Sequence, residues 1–492
     1  MKKSPQKPPR TEGPKKPRIG EQFEVAITAM DSDGYGLGTY LETPVLVNGA
    51  LPGELVRARV AYPGKREIFA DTVKILKPSP ARLKRPPCPQ GASCDGCPLI
   101  AMNYPAQLDW KQELVQGELK RFSSLAETPV DAPLPSPKQL HYRNSAKLMV
   151  TGKFSAPVIG IYRRNSHDVV DIGDCPLHHP LINKVVQAVK EGIRKGKVPV
   201  YSPRSSTGFL RYLVIRVSET DNRVMVIFVT AERSFNEIHH LAKHLRAAVP
   251  EVTVTAQNVN GSTGNNIFGD KDYFLTTRKE LADAIGEVRF AISPRSFFQV
   301  NSGGARLIYE KVREWAGLSG RETVLDLYCG IGGISLFLAP HAREVLGIEA
   351  VEAAVADADK NARLNGVGNC RFEAGDAAEL LEELKSEGKK FDLIVLNPPR
   401  KGCSEEVLRD AALLAPGRII YVSCSPRTLA RDLDQLSRLG YRTVEVQPVD
   451  MFPQTPHVEN VALLERLGTT TSRPPDDRYE ATHKPKNKGE RI

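Results

Sequence analysis

The chain has 492 residues, 41% of them hydrophobic, and 68 Lys and Arg against 58 Asp and Glu give a net charge of +10. That length exceeds what one core supports, so two to four domains are expected, and no apolar run approaches the roughly 18 residues of a membrane span. The positive excess favours a polyanionic partner, most simply nucleic acid, although the tail through Arg18 carries much of it.

Met1-Lys2-Lys3 leads into Pro, Lys, Arg and Gly without an apolar stretch, which is no secretory signal and places the protein in the cytoplasm. Residues 1–18 are expected to be disordered. Without export, the eight cysteines serve metal binding or catalysis before any disulfide framework. From residue 19 to 80, short β segments such as Phe23-Glu24-Val25-Ala26-Ile27 and Leu55-Val56-Arg57-Ala58-Arg59-Val60 alternate with glycine turns. Such even spacing predicts a small OB-type β-barrel. Its Arg57, Arg59, Lys65 and Arg66 suit an RNA backbone as well as they suit a solvated charged face.

Residues 81–287 read as a mixed α/β region. Cys88, Cys94 and Cys97 form C-x5-C-x2-C in a Pro/Gly-rich loop, a spacing that lets thiolates fold around one metal centre. Cys175, in Ile172-Gly173-Asp174-Cys175-Pro176, is the candidate fourth ligand. Zinc and a [4Fe–4S] cluster both accept four thiolates, and spacing does not choose between them.

Residues 288–467 alternate strand-like and helix-like stretches, the βαβ rhythm of a doubly wound sheet. Val324-Leu325-Asp326-Leu327-Tyr328-Cys329-Gly330-Ile331-Gly332-Gly333 is a strand entering a glycine-rich turn, where a small ligand can approach the backbone. It is not G-x-G-x-x-G, so the dinucleotide fingerprint is unmet. Val345-Leu346-Gly347-Ile348-Glu349 ends the next strand on a carboxylate able to bind ribose hydroxyls, or simply to cap a helix. That pair is typical of S-adenosylmethionine (SAM) methyltransferases, whose cofactor lacks a pyrophosphate. Ile394-Val395-Leu396-Asn397-Pro398-Pro399-Arg400 is another strand ending in a stiff polar loop.

The strand Ile419-Ile420-Tyr421-Val422 stops at Ser423-Cys424-Ser425-Pro426. A thiol therefore sits at the carboxyl end of a buried strand, the edge where open α/β sheets bind ligands. Alone, Cys424 reads as a nucleophile, a small core residue or a metal ligand. Cys403 is its rival, while Cys329 and Cys370 read as packing. Residues 468–492 are polar and expected to be disordered.

Taken in order, Ser296-Phe297-Phe298-Gln299-Val300-Asn301, Asp326-Leu327-Tyr328-Cys329-Gly330, Asn397-Pro398-Pro399-Arg400-Lys401-Gly402, Ser423-Cys424-Ser425-Pro426 and Pro456-His457-Val458-Glu459 resemble the RNA uracil-5-methyltransferase family. The barrel resembles a TRAM domain. With the four cysteines, the whole is similar to the bacterial 23S ribosomal RNA type, covering about residues 19–467. The resemblance implies a Rossmann-like SAM methyltransferase domain, a TRAM barrel, a mixed α/β central domain and a [4Fe–4S] cluster on Cys88, Cys94, Cys97 and Cys175. It implies SAM contacts from Gln299, Tyr328, Glu349 and Asn397, Cys424 as nucleophile, Glu459 as general base, 23S ribosomal RNA as substrate, and a monomer. The family's usual D-P-P-R and S-C-N-P are replaced here by Asn397 and Ser425; asparagine keeps an acceptor and loses the charge. Some ribosomal members share N-P-P-R together with a stretch like Asp450-Met451-Phe452-Pro453.

The chemistry accounts for the residue types. Thiolate attack on uracil C6 breaks the ring conjugation and makes C5 nucleophilic, and a base must later remove the C5 proton. Three rival readings stand beside this one: a transfer RNA substrate, an RNA cytosine-5-methyltransferase, and a non-catalytic RNA-binding factor. The cytosine class commonly places a cysteine on the N-P-P-R-like loop, which here has none before Cys403. A non-catalytic factor would not require Cys424 and Glu459 together.

Overall fold

A computed structural model describes residues 17–468, apart from 92–93, 164–165, 167, 203–204, 235, 263–265 and 415. The tails expected to be disordered lie almost wholly outside the described residues. Three main sheets follow one another along the chain, and no described helix is long and apolar enough to cross a membrane.

The first sheet has six strands between Gln22 and Lys77. Its strands alternate buried and exposed positions, so Val25, Val45, Val47, Val56, Ala58 and Val60 fill one interior. The sheet curls until Gly38 lies against Val25 and Ala26; a Cβ there would sit 2.6 Å from the Ala26 carbonyl oxygen. Glycine is what permits that close approach.

The second sheet has seven strands, in the order Lys271–Phe274, Val252–Val259, Val224–Thr230, Leu210–Val217, Ser145–Lys153, Ala156–Tyr162, Val169–Asp171. Helices Pro180–Gly196 and Asn236–Ala248 cover one face. The first buries Ile182, Val185, Val186, Val189 and Ile193, a stripe at helical spacing. Burying five aliphatic side chains contributes on the order of 10 kcal/mol at most. On the other face, Tyr212, Val214, Met225 and Ile227 join one core with the hairpin Leu281–Ile285/Val288–Ile292 and the catalytic sheet. A division at residue 287 therefore falls inside that hairpin, which belongs to both units.

The third sheet runs Cys370–Ala374, Glu344–Glu349, Thr323–Leu327, Leu393–Leu396, Arg418–Ser423, Glu459–Arg466, Tyr441–Val449. Its first five strands are parallel, and Glu459–Arg466 is antiparallel to both neighbours. Continuous apolar runs such as Leu393–Leu396 are fully buried, as a sheet covered on both faces requires. The fold is α/β, a doubly wound parallel sheet with an antiparallel strand pair at one edge.

Tyr104–Leu119, inside the stretch read as central domain, packs instead on the catalytic unit. Its Val115 and Leu119 join the core with Leu429, Leu433 and Leu436. One turn carries two buried polar residues. Lys111 Nζ is 2.5 Å from Asp450 Oδ1, both side chains being wholly buried, and it also donates to the Phe452 carbonyl at 3.1 Å. Gln107 and Gln454 bond reciprocally at 2.9 Å.

Removing one member of this ion pair strands a buried charge. Lys111→Met is expected to cost about 3–5 kcal/mol, whereas adding Asp450→Leu to it recovers most of the loss. Urea unfolding of the wild type, the single variant and the double variant checks the ordering.

Candidate active site

Strand order reverses between Thr323–Leu327 and Leu393–Leu396, and the crevice at such a switch point is where open α/β sheets take ligands. Tyr328 and Asn397 follow these two strands directly, tied by the Asn397 N–H donating to the Leu327 carbonyl at 3.2 Å. Tyr328 has a φ of 64°, a left-handed conformation costing roughly 1–3 kcal/mol in a side-chain-bearing residue. Gly330, at φ 57°, continues the turn and borders open space. A narrow cleft of about 60 Å³ results, lined by Gln299, Tyr328 and Asn397 together with Asp326, Tyr309 and Phe297.

Three of the four residues expected to hold the cofactor thus share one cleft. The fourth, Glu349, is pinned at its rim, accepting from the Gly330 N–H at 3.1 Å and the Val351 N–H at 3.0 Å. Gln299 hydrogen-bonds the Tyr309 hydroxyl. Asp326 is fully buried and accepts from Ser335 Oγ at 2.6 Å, while its Oδ1 has no partner in the protein. Burial first, and the nearby Glu349 charge second, push the Asp326 carboxyl up to about 7. An open acceptor, a glycine turn without obstruction and an exposed Phe297 at the mouth fit a nucleoside ligand bearing an amino group.

The thiol and the carboxyl expected beside it meet through strand register. Ser423 pairs with Asn460, so Cys424 and Glu459 each lie one residue beyond that pair, near enough that the Glu459 charge acts on the thiol. Ser425 caps helix Pro426–Arg438 by accepting from the Thr428 N–H at 3.4 Å. Serine and asparagine are interchangeable in that role, which accounts for the departure from S-C-N-P. Cys424 therefore sits at a helix N-terminus, whose partial positive charge favours a thiolate.

Burial raises the Cys424 pKa and the Glu459 charge raises it further; Arg400 opposes both through its charge and a hydrogen bond. Burial pushes Glu459 up to about 7, again against Arg400. Cys403, the rival thiol, is 6% exposed and lies in a network in which Tyr421 Oη donates to Asp432 at 2.5 Å. Its pKa is pushed up to about 12 by burial, which leaves it inert.

Sequence reasoning did not single out Arg400, Asp326 or Tyr309. The first two stand inside quoted motifs. Tyr309 lies on the buried face of helix Ser302–Ala316, where sequence shows only a core position.

Cys88, Cys94, Cys97 and Cys175 are all free thiols. They lie near enough that the charges of Cys175, Cys94 and Cys88 add to burial in raising the Cys97 pKa. Among the described residues, no group of three or more His, Cys, Asp or Glu is set to hold a metal ion. The fold thus makes the four thiols neighbours without closing a ligand shell.

Comparison with known proteins adds the family. The tRNA (uracil-5-)-methyltransferase family matches residues 103–467. An uncharacterized RNA methyltransferase of Geobacter sulfurreducens is 61% identical over 97% of this chain and 95% of its own. Another, from Caldanaerobacter subterraneus, is 41% identical over 92% of this chain and 100% of its own. The crystal structure of the Pyrococcus abyssi tRNA (uracil-54, C5)-methyltransferase with S-adenosyl-L-homocysteine has a TM-score of 0.74 and 31% identity, covering 90% of this chain and 99% of that one. The chain belongs to the tRNA (uracil-5-)-methyltransferase family and is a SAM-dependent RNA uracil-C5-methyltransferase.

Proposed function

We propose that the enzyme methylates C5 of a specific uridine in 23S ribosomal RNA through a covalent bond between Cys424 and uracil C6. The observation that supports the covalent reading is the proximity of Cys424 to Glu459, whose charge acts on the thiol, with Arg400 acting on both. Gln299, Tyr328, Glu349 and Asn397 hold the cofactor, which supplies an electrophilic methyl group when bound. The Cys424 thiolate adds to C6, and the electron pair released onto the ring makes C5 the nucleophile. After C5 has gained its methyl group, Glu459 takes the C5 proton. The C5–H electrons then restore the C5–C6 double bond and expel the thiolate. A base near neutrality suits this step, and burial places Glu459 there.

The ribosomal assignment rests on resemblance, through the barrel and the thiol cluster. A transfer RNA target is the second reading, favoured by the substrate that the Pyrococcus abyssi protein's description names. Comparing 5-methyluridine in the ribosomal and transfer RNA fractions of cells with and without the protein separates the two. We take residues 19–80 as a TRAM domain that grips RNA backbone, residues 81–287 as the central domain and 288–467 as the methyltransferase domain. The enzyme acts as a cytoplasmic monomer.

Cys88, Cys94, Cys97 and Cys175 fit a four-thiolate centre by donor chemistry, being unoxidised and contributed by two segments of one region. We assign it a [4Fe–4S] cluster with a structural role, since thiol addition and methyl transfer move no single electrons. Protein purified without oxygen is expected to be brown and to carry about four irons per chain; a colourless protein with one zinc overturns the cluster.

Cys424→Ala is expected to abolish turnover while SAM binding, measured by calorimetry, stays within about twofold, because the thiol acts on the base alone. Glu459→Gln is expected to stall after methylation, leaving protein bound to labelled RNA through Cys424 as a slow band on a denaturing gel. Wild-type turnover by either variant removes that residue from the mechanism.

Glu459 also sets a pH signature. Its pKa rises from an ordinary 4.5 to about 7 in the folded protein, so folding favours the protonated carboxyl. The stability it contributes is complete below about pH 4.5 and lost as pH rises through about 7, whereas Glu459→Gln has no such term. The wild type is therefore expected to lose stability relative to Glu459→Gln across that window, read as the difference in their melting temperatures at pH 5 and pH 8. A constant difference contradicts the shift.

A further inference from the structure

At the ends of inner strands of the central sheet lies an open groove of about 580 Å³ lined by Arg223, Arg246 and Arg278 together with Thr253 and Asp221. The arginines come from three separate elements. Arg223 ends the turn between strands Leu210–Val217 and Val224–Thr230, Arg246 ends helix Asn236–Ala248, and Arg278 follows strand Lys271–Phe274. All three are exposed.

Some exposed arginines elsewhere are paired with carboxylates: Arg306 with Glu310 at 2.7 Å, Arg371 with Glu344 at 3.2 Å, Arg438 with Asp434 at 2.5 Å. The carboxylates flanking the groove are engaged otherwise. Asp221 Oδ1 accepts from the Arg223 backbone N–H at 3.1 Å, and Glu251 holds Lys184 at 2.9 Å. The three guanidinium groups therefore present donors that no described carboxylate takes up. Beside them, the Thr253 hydroxyl is buried without a partner.

The groove is also fixed relative to the catalytic unit. In the same turn, Thr220 Oγ1 donates to Asp283 at 2.8 Å, and Asp283 lies in the hairpin that shares the catalytic core. Lys138 pairs with Glu219 at 3.3 Å. A strand held there would be held in register with the cleft.

We propose that this groove binds the phosphodiester backbone of the RNA substrate, as an anchoring site separate from both the barrel and the catalytic cleft. The proposal rests on the RNA substrate of the family reading and adds where a second part of that RNA is held. Guanidinium forks match phosphate oxygens in pairs, and an unpartnered hydroxyl adds a donor of the same preference.

The test compares Arg223→Gln/Arg246→Gln/Arg278→Gln with a control of equal charge loss, Arg306→Gln/Arg371→Gln/Arg438→Gln. Affinity for a ribosomal RNA fragment is measured across a salt series, with SAM affinity and methylation at saturating RNA measured alongside. Three lost phosphate contacts lower the slope of log affinity against log salt by about 2, at about 0.7 per contact on single strands. The groove variant is expected to show that change and at least a tenfold weaker binding at low salt, with SAM affinity and saturated turnover unchanged. The control is expected to move the slope by less than half as much. An unchanged slope, or equal changes in both proteins, overturns the site. Failure of the wild type itself to form 5-methyluridine sinks the functional reading instead, a separate result.

Discussion

The catalytic geometry depends on a buried polar latch between helix Tyr104–Leu119 and the segment Asp450–Thr455. Lys111 and Asp450 are both without solvent contact, and such a pair persists only when its partners are complete. Phe452 and Met451 offer their carbonyls to Lys111 and Asn301, and Tyr142 donates to the Pro453 carbonyl at 3.0 Å. The segment then enters a left-handed residue, Gln454 at φ 71°, held on both sides by Gln107. Moving it by even a fraction of an ångström would leave several buried groups unsatisfied at once. Glu459 follows a few residues later, so the latch fixes where the base's strand begins. The Leu99 N–H also donates to the Gln454 carbonyl at 3.1 Å. The loop bearing Cys97 is thereby fastened to the base's own segment, a mechanical route from the thiol cluster to the cleft that needs no electron transfer.

Within the cleft the decisive effect is electrostatic coupling among Cys424, Glu459 and Arg400. Burial disfavours the charged forms of both acids, and the Glu459 charge disfavours the thiolate further. One cation opposes both penalties but cannot satisfy two anions equally. While Glu459 keeps its proton, Arg400 is available to a thiolate on Cys424. A protonated Glu459 also removes the charge that raises the Cys424 thiol.

Much of this was legible in the sequence because strand ends in a doubly wound sheet announce themselves. An apolar β-branched run stopping at Cys424, and another stopping at Asn397, place both residues on one edge whatever the loops do. The glycine turn after Asp326 marks the switch point in the same way. Three features were hidden. Helix Tyr104–Leu119 reads as part of the central region, but Val115 and Leu119 bury against Leu433 and Leu436, a choice of partner that periodicity cannot reveal. The latch was hidden too, since Lys111 and Asp450 lie far apart in the chain and each looks like a solvated charge. Tyr309 was invisible because its buried stripe is what any amphipathic helix shows.

Two carboxyls at this sheet edge, Asp326 and Glu459, are driven to nearly the same pKa, and the value alone does not say which would serve as a base. Neighbours decide it. Asp326 is bonded to Ser335 and feels Glu349, on the cofactor side of the switch point. Its open oxygen lacks a donor, and a positively charged ligand group would restore its ionised form and remove it from proton traffic. Among the described residues no hydrogen-bond donor holds Glu459 ionised; Arg400 acts on it by charge, as it does on the thiol. Tyr309 feels both carboxyls and hydrogen-bonds Gln299, so it stands between the two halves. Similar pKa values thus arise in unlike surroundings: Asp326 is bonded to Ser335 and close to Glu349, and Glu459 is close to Arg400.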